Sequence, residues 1–255
     1  MQYPNFKNKH SESTIIEPHQ YLEYMRERKK YPSFKPPKGV VLCYQPNLLR
    51  FIKENHPTQA CDGFLPKLLF LKETKNEIAV IGGFGVGSPV ASIILEELIA
   101  FGVSEFISLG TAGTLQSAIK IGDLVLCDRA IRDEGTSHHY LPPGKYSYPS
   151  KVLTERLAQA LNIQGAPYHI GPSWTTDAIY RETVAEAKFY QSEGVATVEM
   201  EAAALFAVAE FRKISLAAAF TISDSLADLK WHPEFHSTKT QGGLEKLYQA
   251  AIAAF

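Results

Sequence analysis

Residues 216–222, Leu-Ala-Ala-Ala-Phe-Thr-Ile, constrain the fold more than any other segment, because they read as one continuous apolar strand. A strand with one wet face alternates apolar and polar side chains. A strand without that alternation is buried on both faces, as in a parallel sheet covered by helices. Shorter runs of the same kind occur at 40–43, 68–71, 78–81, 106–109 and 124–127. Helix-like stretches separate or follow them, at 46–54, 90–101, 150–161, 182–192, 197–211 and 243–253. In the second, Val90, Ala91, Ile94, Leu95 and Leu98 keep the 3.6-residue period, with Glu96 and Glu97 on the wet side. In the fifth, Met200, Ala203, Ala204, Ala207, Val208 and Phe211 face inward. The alternation predicts a mixed, mostly parallel α/β sheet flanked by helices, in one domain over residues 39–255. Residues 1–38 are polar and read as an N-terminal extension with prolines at 32, 36 and 37. It carries one short helix, 19–30, packed on the domain or on a neighbour.

Charge narrows the partners. The 255 residues carry 26 basic and 27 acidic side chains, which offers no electrostatic footprint for nucleic acid. A hydrophobic fraction of 45% supplies enough apolar surface to exclude disorder as the main state. Cys43, Cys61 and Cys127 lack C-x-x-C spacing, so they are expected as buried, reduced thiols, with no metal site. No signal-peptide h-region and no apolar run of membrane-spanning length is present, and a cytoplasmic location is expected.

Ligands of such sheets collect beyond the carboxyl ends of strands, and three segments fit that position. Gly83-Phe84-Gly85-Val86-Gly87 lies between a strand and a helix, where its amides could meet an anion or simply make a packing turn. Gly110-Thr111-Ala112-Gly113 reads as a turn leaving the strand at 106–109, with the Thr111 hydroxyl free for an oxyanion or a sugar oxygen. Val198-Glu199-Met200-Glu201 opens a helix, where acids also suit the dipole. Ser223-Asp224 ends the apolar strand. A partly buried carboxyl there would have a raised pKa and suit a general acid, although a turn or cap explains the position equally.

Taken together, these motifs resemble the nucleoside phosphorylase and nucleosidase superfamily, over residues 39–247. The resemblance implies a three-layer α/β/α fold with a partly barrel-like central sheet, in subunits assembled as homodimers or as hexamers of stacked dimers. It implies that Glu201 holds the ribose hydroxyls, Met200 packs under the sugar, and Val198, Glu199, Ser223 and Tyr180 belong to the substrate pocket. Asp224 matches the acid that protonates N7 of a purine leaving group. Thr111 matches the hydroxyl residue near phosphate and ribose, Gly113 a glycine beside the base, and Gly85 a further contact for phosphate. Phosphate as co-substrate, without other cofactor, follows from the same resemblance, as does a small-molecule nucleoside as substrate.

The sequence departs from that family where phosphate is gripped by arginines. Tyr44-Gln45-Pro46-Asn47-Leu48 replaces a Gly-Asp-Pro-x-Arg motif, Ser108 stands at a second arginine position, and residues 61–66 hold no arginine. Arg132 and Arg181 are the remaining basic candidates for phosphate. Gln45 also stands near the place of the glutamate that nucleosidases use as base. Lys230, His232, His236 and Lys239 are candidates for a basic partner of Asp224, with plain surface positions as the default. His138 and His139 are expected on a loop, solvated by default or near the site entrance, and His10 or His19 could reach a partner's site. Phosphorolysis of a purine-type nucleoside is the leading expectation; hydrolysis on the same fold and a silent nucleoside-binding protein are the alternatives.

Overall fold

Each strand in the centre of the sheet sends successive side chains to opposite faces, and both faces are covered by helices. The computed structural model describes residues 4, 6–28, 34–64 and 66–255; Pro32 and the last residues of the expected 19–30 helix, 29 and 30, lie outside them. The strands are β1 (Gly39–Cys43), β2 (Thr58–Cys61), β3 (Leu68–Leu71), β4 (Ile78–Gly82), β5 (Glu105–Thr114), β6 (Leu124–Asp133), β7 (Tyr146–Ser147), β8 (Tyr168–Thr176), β9 (Thr197–Glu199), β10 (Ser215–Ser225) and β11 (His232–Pro233). The helices are α1 (Pro18–Glu27), α2 (Pro46–Asn55), α3 (Ser88–Phe101), α4 (Lys151–Ile163), α5 (Val184–Ser192), α6 (Ala202–Arg212) and α7 (Thr238–Ala254).

Val40 and Leu42 of β1, with Leu216, Ala218 and Phe220 of β10, pack with α3 and α6. Their neighbours Val41, Cys43, Ala217 and Ala219 pack with α2, α4 and α7 on the opposite face. That division makes the three-layer α/β/α sandwich. The expected barrel character is also present. β10 pairs with both β5 and β6, and the path β10–β6–β8–β9–β5 returns to β10, a closed ring of five strands. From β5 the sheet continues open through β1, β4, β3 and β2. Strands β1, β4, β5 and β10 run parallel, so their carboxyl ends meet on one side. The three cysteines are buried thiols, none in a disulfide. No helix among the described residues is long and apolar enough to cross a membrane.

Several expectations are corrected. Gly110–Gly113 is no turn: β5 runs through it to Thr114, because β10 pairs along its length and β9 pairs at its end. The helix expected over 197–211 is a strand, a two-residue link and a helix. β9 is captured by β5 and β8, and cross-strand pairing outweighs the helical period of its few residues. Phe211 is accordingly not inward but partly exposed. Strands β2, β7, β8 and β11 escaped the sequence reading, and β6 extends six residues past Cys127 to Asp133.

Glu96 is not on a wet face. It is buried, and its carboxylate takes two bonds from Arg212 of α6, at 2.8 and 3.1 Å. The remaining Arg212 nitrogen reaches Glu17, at the cap of α1, at 3.1 Å. This cation therefore ties the N-terminal extension to α3 and α6. Arg212→Met leaves Glu96 buried without its partner, and is expected to cost about 2 kcal/mol, less than a fully buried pair because Arg212 is partly wet. In a chain of this size that lowers the thermal midpoint by roughly 4–8 °C. Calorimetry checks it, and adding Glu96→Gln should recover part of the loss.

Candidate active site

The site grows from the carboxyl ends of β1, β4, β5 and β10. Register in β10 shifts between Ile222 and Asp224, so Ser223 is an extra residue and Asp224, not Ser223, sits opposite Gly113 of β5. Such bulges re-aim side chains. On its other edge Gly113 pairs with Val198 of β9. A Cβ added at Gly113 would lie 2.8 Å from Leu226, 2.9 Å from Asp224 Oδ2 and 3.2 Å from Val198, so glycine is required by space. Thr111, two residues back on β5, accepts a 2.9 Å bond from the Gln45 side-chain amide.

Glu199 ends β9 buried and richly bonded. Ser173 and Thr175 of β8 donate to its Oε1, at 3.2 and 2.5 Å, and the backbone N–H groups of Glu201 and Ala202 donate to its Oε2, both at 2.8 Å. This carboxylate caps the entrance of α6, which is why the chain turns there. Glu201, also buried, accepts from Gly87 N–H at 2.5 Å. Ser88 donates to the Met200 carbonyl at 2.7 Å. The glycine loop is thus docked on the Met200–Glu201 link. Gly87 has φ +105°, the left-handed region that turns its N–H inward, and its amide serves a carboxylate rather than an external anion.

Burial, and then the charge of Glu199, push the Glu201 carboxyl up to about 8. Burial also pushes Glu199 up, against the pull of its donors. With the fuller set of donors, two of them hydroxyls, Glu199 holds the charge of the pair and Glu201 the proton. Burial raises Asp224 as well, while Ser223 Oγ–H on Oδ1 (2.8 Å) and the Trp231 indole N–H on Oδ2 (3.1 Å) pull it back. Glu182, just beyond the 3₁₀ turn Ile179–Arg181, is pushed up to about 7 by burial and by Asp224. Beside the site a cavity of about 320 Å³ is lined by Arg132, Asp133, Glu134, Gly135, His138 and Asp177.

The family model for the phosphorylase superfamily matches residues 52–254. The chain belongs to that superfamily. A guanosine phosphorylase of Halorubrum lacusprofundi is 32% identical over 142 residues, 56% of this chain and 59% of the relative. A uridine phosphorylase of Thermococcus kodakarensis is 39% identical over 38% of this chain and 35% of its own length. These alignments thus span about a third to three-fifths of those two relatives. A DeoD-type purine nucleoside phosphorylase of Streptococcus thermophilus is 31% identical over 74% of this chain and 82% of its own length. Among solved structures, the purine nucleoside phosphorylase of Toxoplasma gondii in complex with immucillin-H superposes with TM-score 0.74 at 20% identity, covering 86% of this chain and 90% of that one. The AMP nucleosidase of Bacteroides thetaiotaomicron gives 0.73 at 24%, covering 91% and 95%. These two likenesses show the superfamily fold.

Of the residues singled out from sequence, Thr111, Gly113, Val198, Glu199, Met200, Glu201, Ser223 and Asp224 converge at this end of the sheet. Tyr180 does not join them: it is 94% exposed in the 3₁₀ turn before Glu182. Arg181, in the same turn, is exposed, and Gly85 lies exposed on the glycine loop. Arg132 is not the free cation that a phosphate ligand would be. It is buried, and its guanidinium donates to Ser137 Oγ and to the carbonyls of Ser137, Leu141 and Pro142. Ser108 is buried and bonded to the Tyr44 hydroxyl at 3.1 Å. Asp224 is met by Trp231 instead of the lysines and histidines weighed from sequence. A buried carboxylate requires a donor and not a cation, and an indole supplies one.

Proposed function

We propose that this chain cleaves the N-glycosidic bond of a purine-type nucleoside, with phosphate as co-substrate, to give free base and ribose 1-phosphate. One observation carries the reading: Glu201 and Asp224, two buried carboxyls with raised pKa, stand in one site on either side of β5. Cleavage builds positive charge on the sugar and negative charge on the base. In this reading a phosphate oxygen bonds C1′, the bond from C1′ to N9 breaks with its electron pair passing to the base, and Asp224 delivers a proton to N7. Glu201 holds the ribose hydroxyls, Met200 supports the sugar, and Val198 and Gly113 face the base. Thr111, with its oxygen already accepting from Gln45, directs its own hydrogen at the phosphate.

Hydrolysis, with water in place of phosphate, is the second reading, and a specific observation favours it. The charges that act most on Glu201 are those of Glu199 and Asp177, both anionic, and a neutral nucleophile enters such a field more readily than a phosphate dianion. Inosine, adenosine and uridine incubated with purified protein, with and without phosphate, separate the two. The leading reading expects ribose 1-phosphate, formed only when phosphate is present. Free ribose at an undiminished rate without phosphate would establish hydrolysis, and tight nucleoside binding with no cleavage under either condition would leave a nucleoside-binding protein.

A further inference from the structure

Trp231 leaves 63% of its surface to water although its indole N–H points inward to Asp224 Oδ2. A large aromatic ring in this position is normally covered. Its exposure is not the freedom of a loose loop, because the β10–β11 hairpin is fastened at several points. Asp224 pairs with Pro233 and Ser225 with His232. The Leu226 N–H bonds the Thr114 carbonyl at 2.9 Å, and the Glu234 N–H bonds that of Ser223 at 2.7 Å. Gln191 of α5 donates to the carbonyls of Leu226 and Ala227. Phe235 places a second half-exposed ring 6.2 Å from the indole. A fixed, uncovered bicyclic ring beside the acid that meets the leaving base has the shape and polarity of a stacking platform for a planar heterocycle.

We propose that Trp231 is the residue on which the leaving purine stacks, and that its N–H holds the Asp224 carboxyl turned toward that base. This rests on the reading of the site as one that cleaves nucleosides. The indole is a donor only, so it cannot take the proton that Asp224 must deliver, and it occupies one lone pair of Oδ2, as Ser223 does on Oδ1, leaving the second position on each oxygen. The two duties are separable by substitution. Trp231→Phe keeps a ring and removes the donor; Trp231→Leu removes both.

The chain has two tryptophans; the other, Trp174, is buried, bonded to Asp133 and in register with Val198, so the part of any ligand-dependent emission change that Trp231→Phe removes is the part that reports on Trp231. Titrating wild type with inosine and with hypoxanthine should quench that emission, and Trp231→Phe should lose the quenching while still turning over inosine. Trp231→Phe is expected to lower kcat about tenfold with KM little changed, and Trp231→Leu to raise KM about tenfold as well. If inosine is cleaved, yet emission is unmoved at saturation and both variants match wild type, the proposal is overturned while the function stands. Emission that changes with protein concentration instead of ligand would place a second copy on the ring and overturn it too. If calorimetry detects no binding of inosine or hypoxanthine and no nucleoside is cleaved, the reading of the site fails, and the proposal with it.

Discussion

Replacing Asp224 with asparagine is expected to lower kcat on inosine by about 10²–10⁴, the range that a general acid contributes. The substitution is conservative in shape. Ser223 can turn its hydroxyl to accept from the new amide nitrogen, and the amide oxygen can keep the Trp231 bond, so loss of the fold does not explain loss of rate. The pH profile supplies a second reading. Asp224 must be protonated to deliver a proton, and burial holds its pKa above the ordinary value. Activity is therefore present below that raised pKa and falls as pH rises through it. The asparagine variant should lose this basic limb. Turnover of uridine, whose base has no N7, should change little if uridine is cleaved at all. An unchanged kcat on inosine, or a basic limb that survives the substitution, would remove Asp224 from the role of acid.

The parts of this site that could be read from sequence are those whose signal is local. The apolar run 216–222 announced a strand buried on both faces, and Asp224 stood out because it ends that run. Glu199 and Glu201 stood out as paired acids before an alanine-rich helix. What escaped depends on partners far away in sequence. The bulge at Ser223 exists because β5 and β10 are paired around it, and no residue type at 222–224 announces it. β9 is a strand only because β5 and β8 lie beside it. Arg132 looked like a free cation in a polar loop, yet residues 137–142 fold back and consume its donors. Glu96 looked wet because its partner, Arg212, lies 116 residues further on. The glycine loop reads from sequence as either an anion contact or a packing turn, and the Gly87 amide serves Glu201 across a gap of 114 residues. In each case a partner distant in sequence decides the outcome.

Glu201→Gln is expected to make the protein more stable and less active, and the opposed signs make this the sharpest test of the site. In the folded chain the Glu201 carboxyl titrates at about 8, against an ordinary value of 4.5. Between those two values the unfolded chain has released a proton that the folded chain still binds, so stability falls as pH rises across that window. Below it the effect vanishes, because both states are protonated. The accumulated cost above it is on the order of a few kcal/mol for a carboxyl buried this deeply. Glutamine carries no proton to lose, and its amide oxygen can keep the Gly87 N–H bond. The variant should therefore melt several degrees above wild type at pH 8.5 and level with it near pH 4.5, a difference that calorimetry at the two pH values resolves. Activity should move the other way. A carboxyl can ionise as positive charge develops on the sugar and accept from both ribose hydroxyls, whereas an amide turns one donor toward them, and kcat/KM should fall about 10²-fold. A glutamine variant that melts below wild type at pH 8.5 would show that Glu201 is held ionised by a contact outside this chain's own fold. A variant that keeps full kcat/KM would show that the ribose is bound elsewhere.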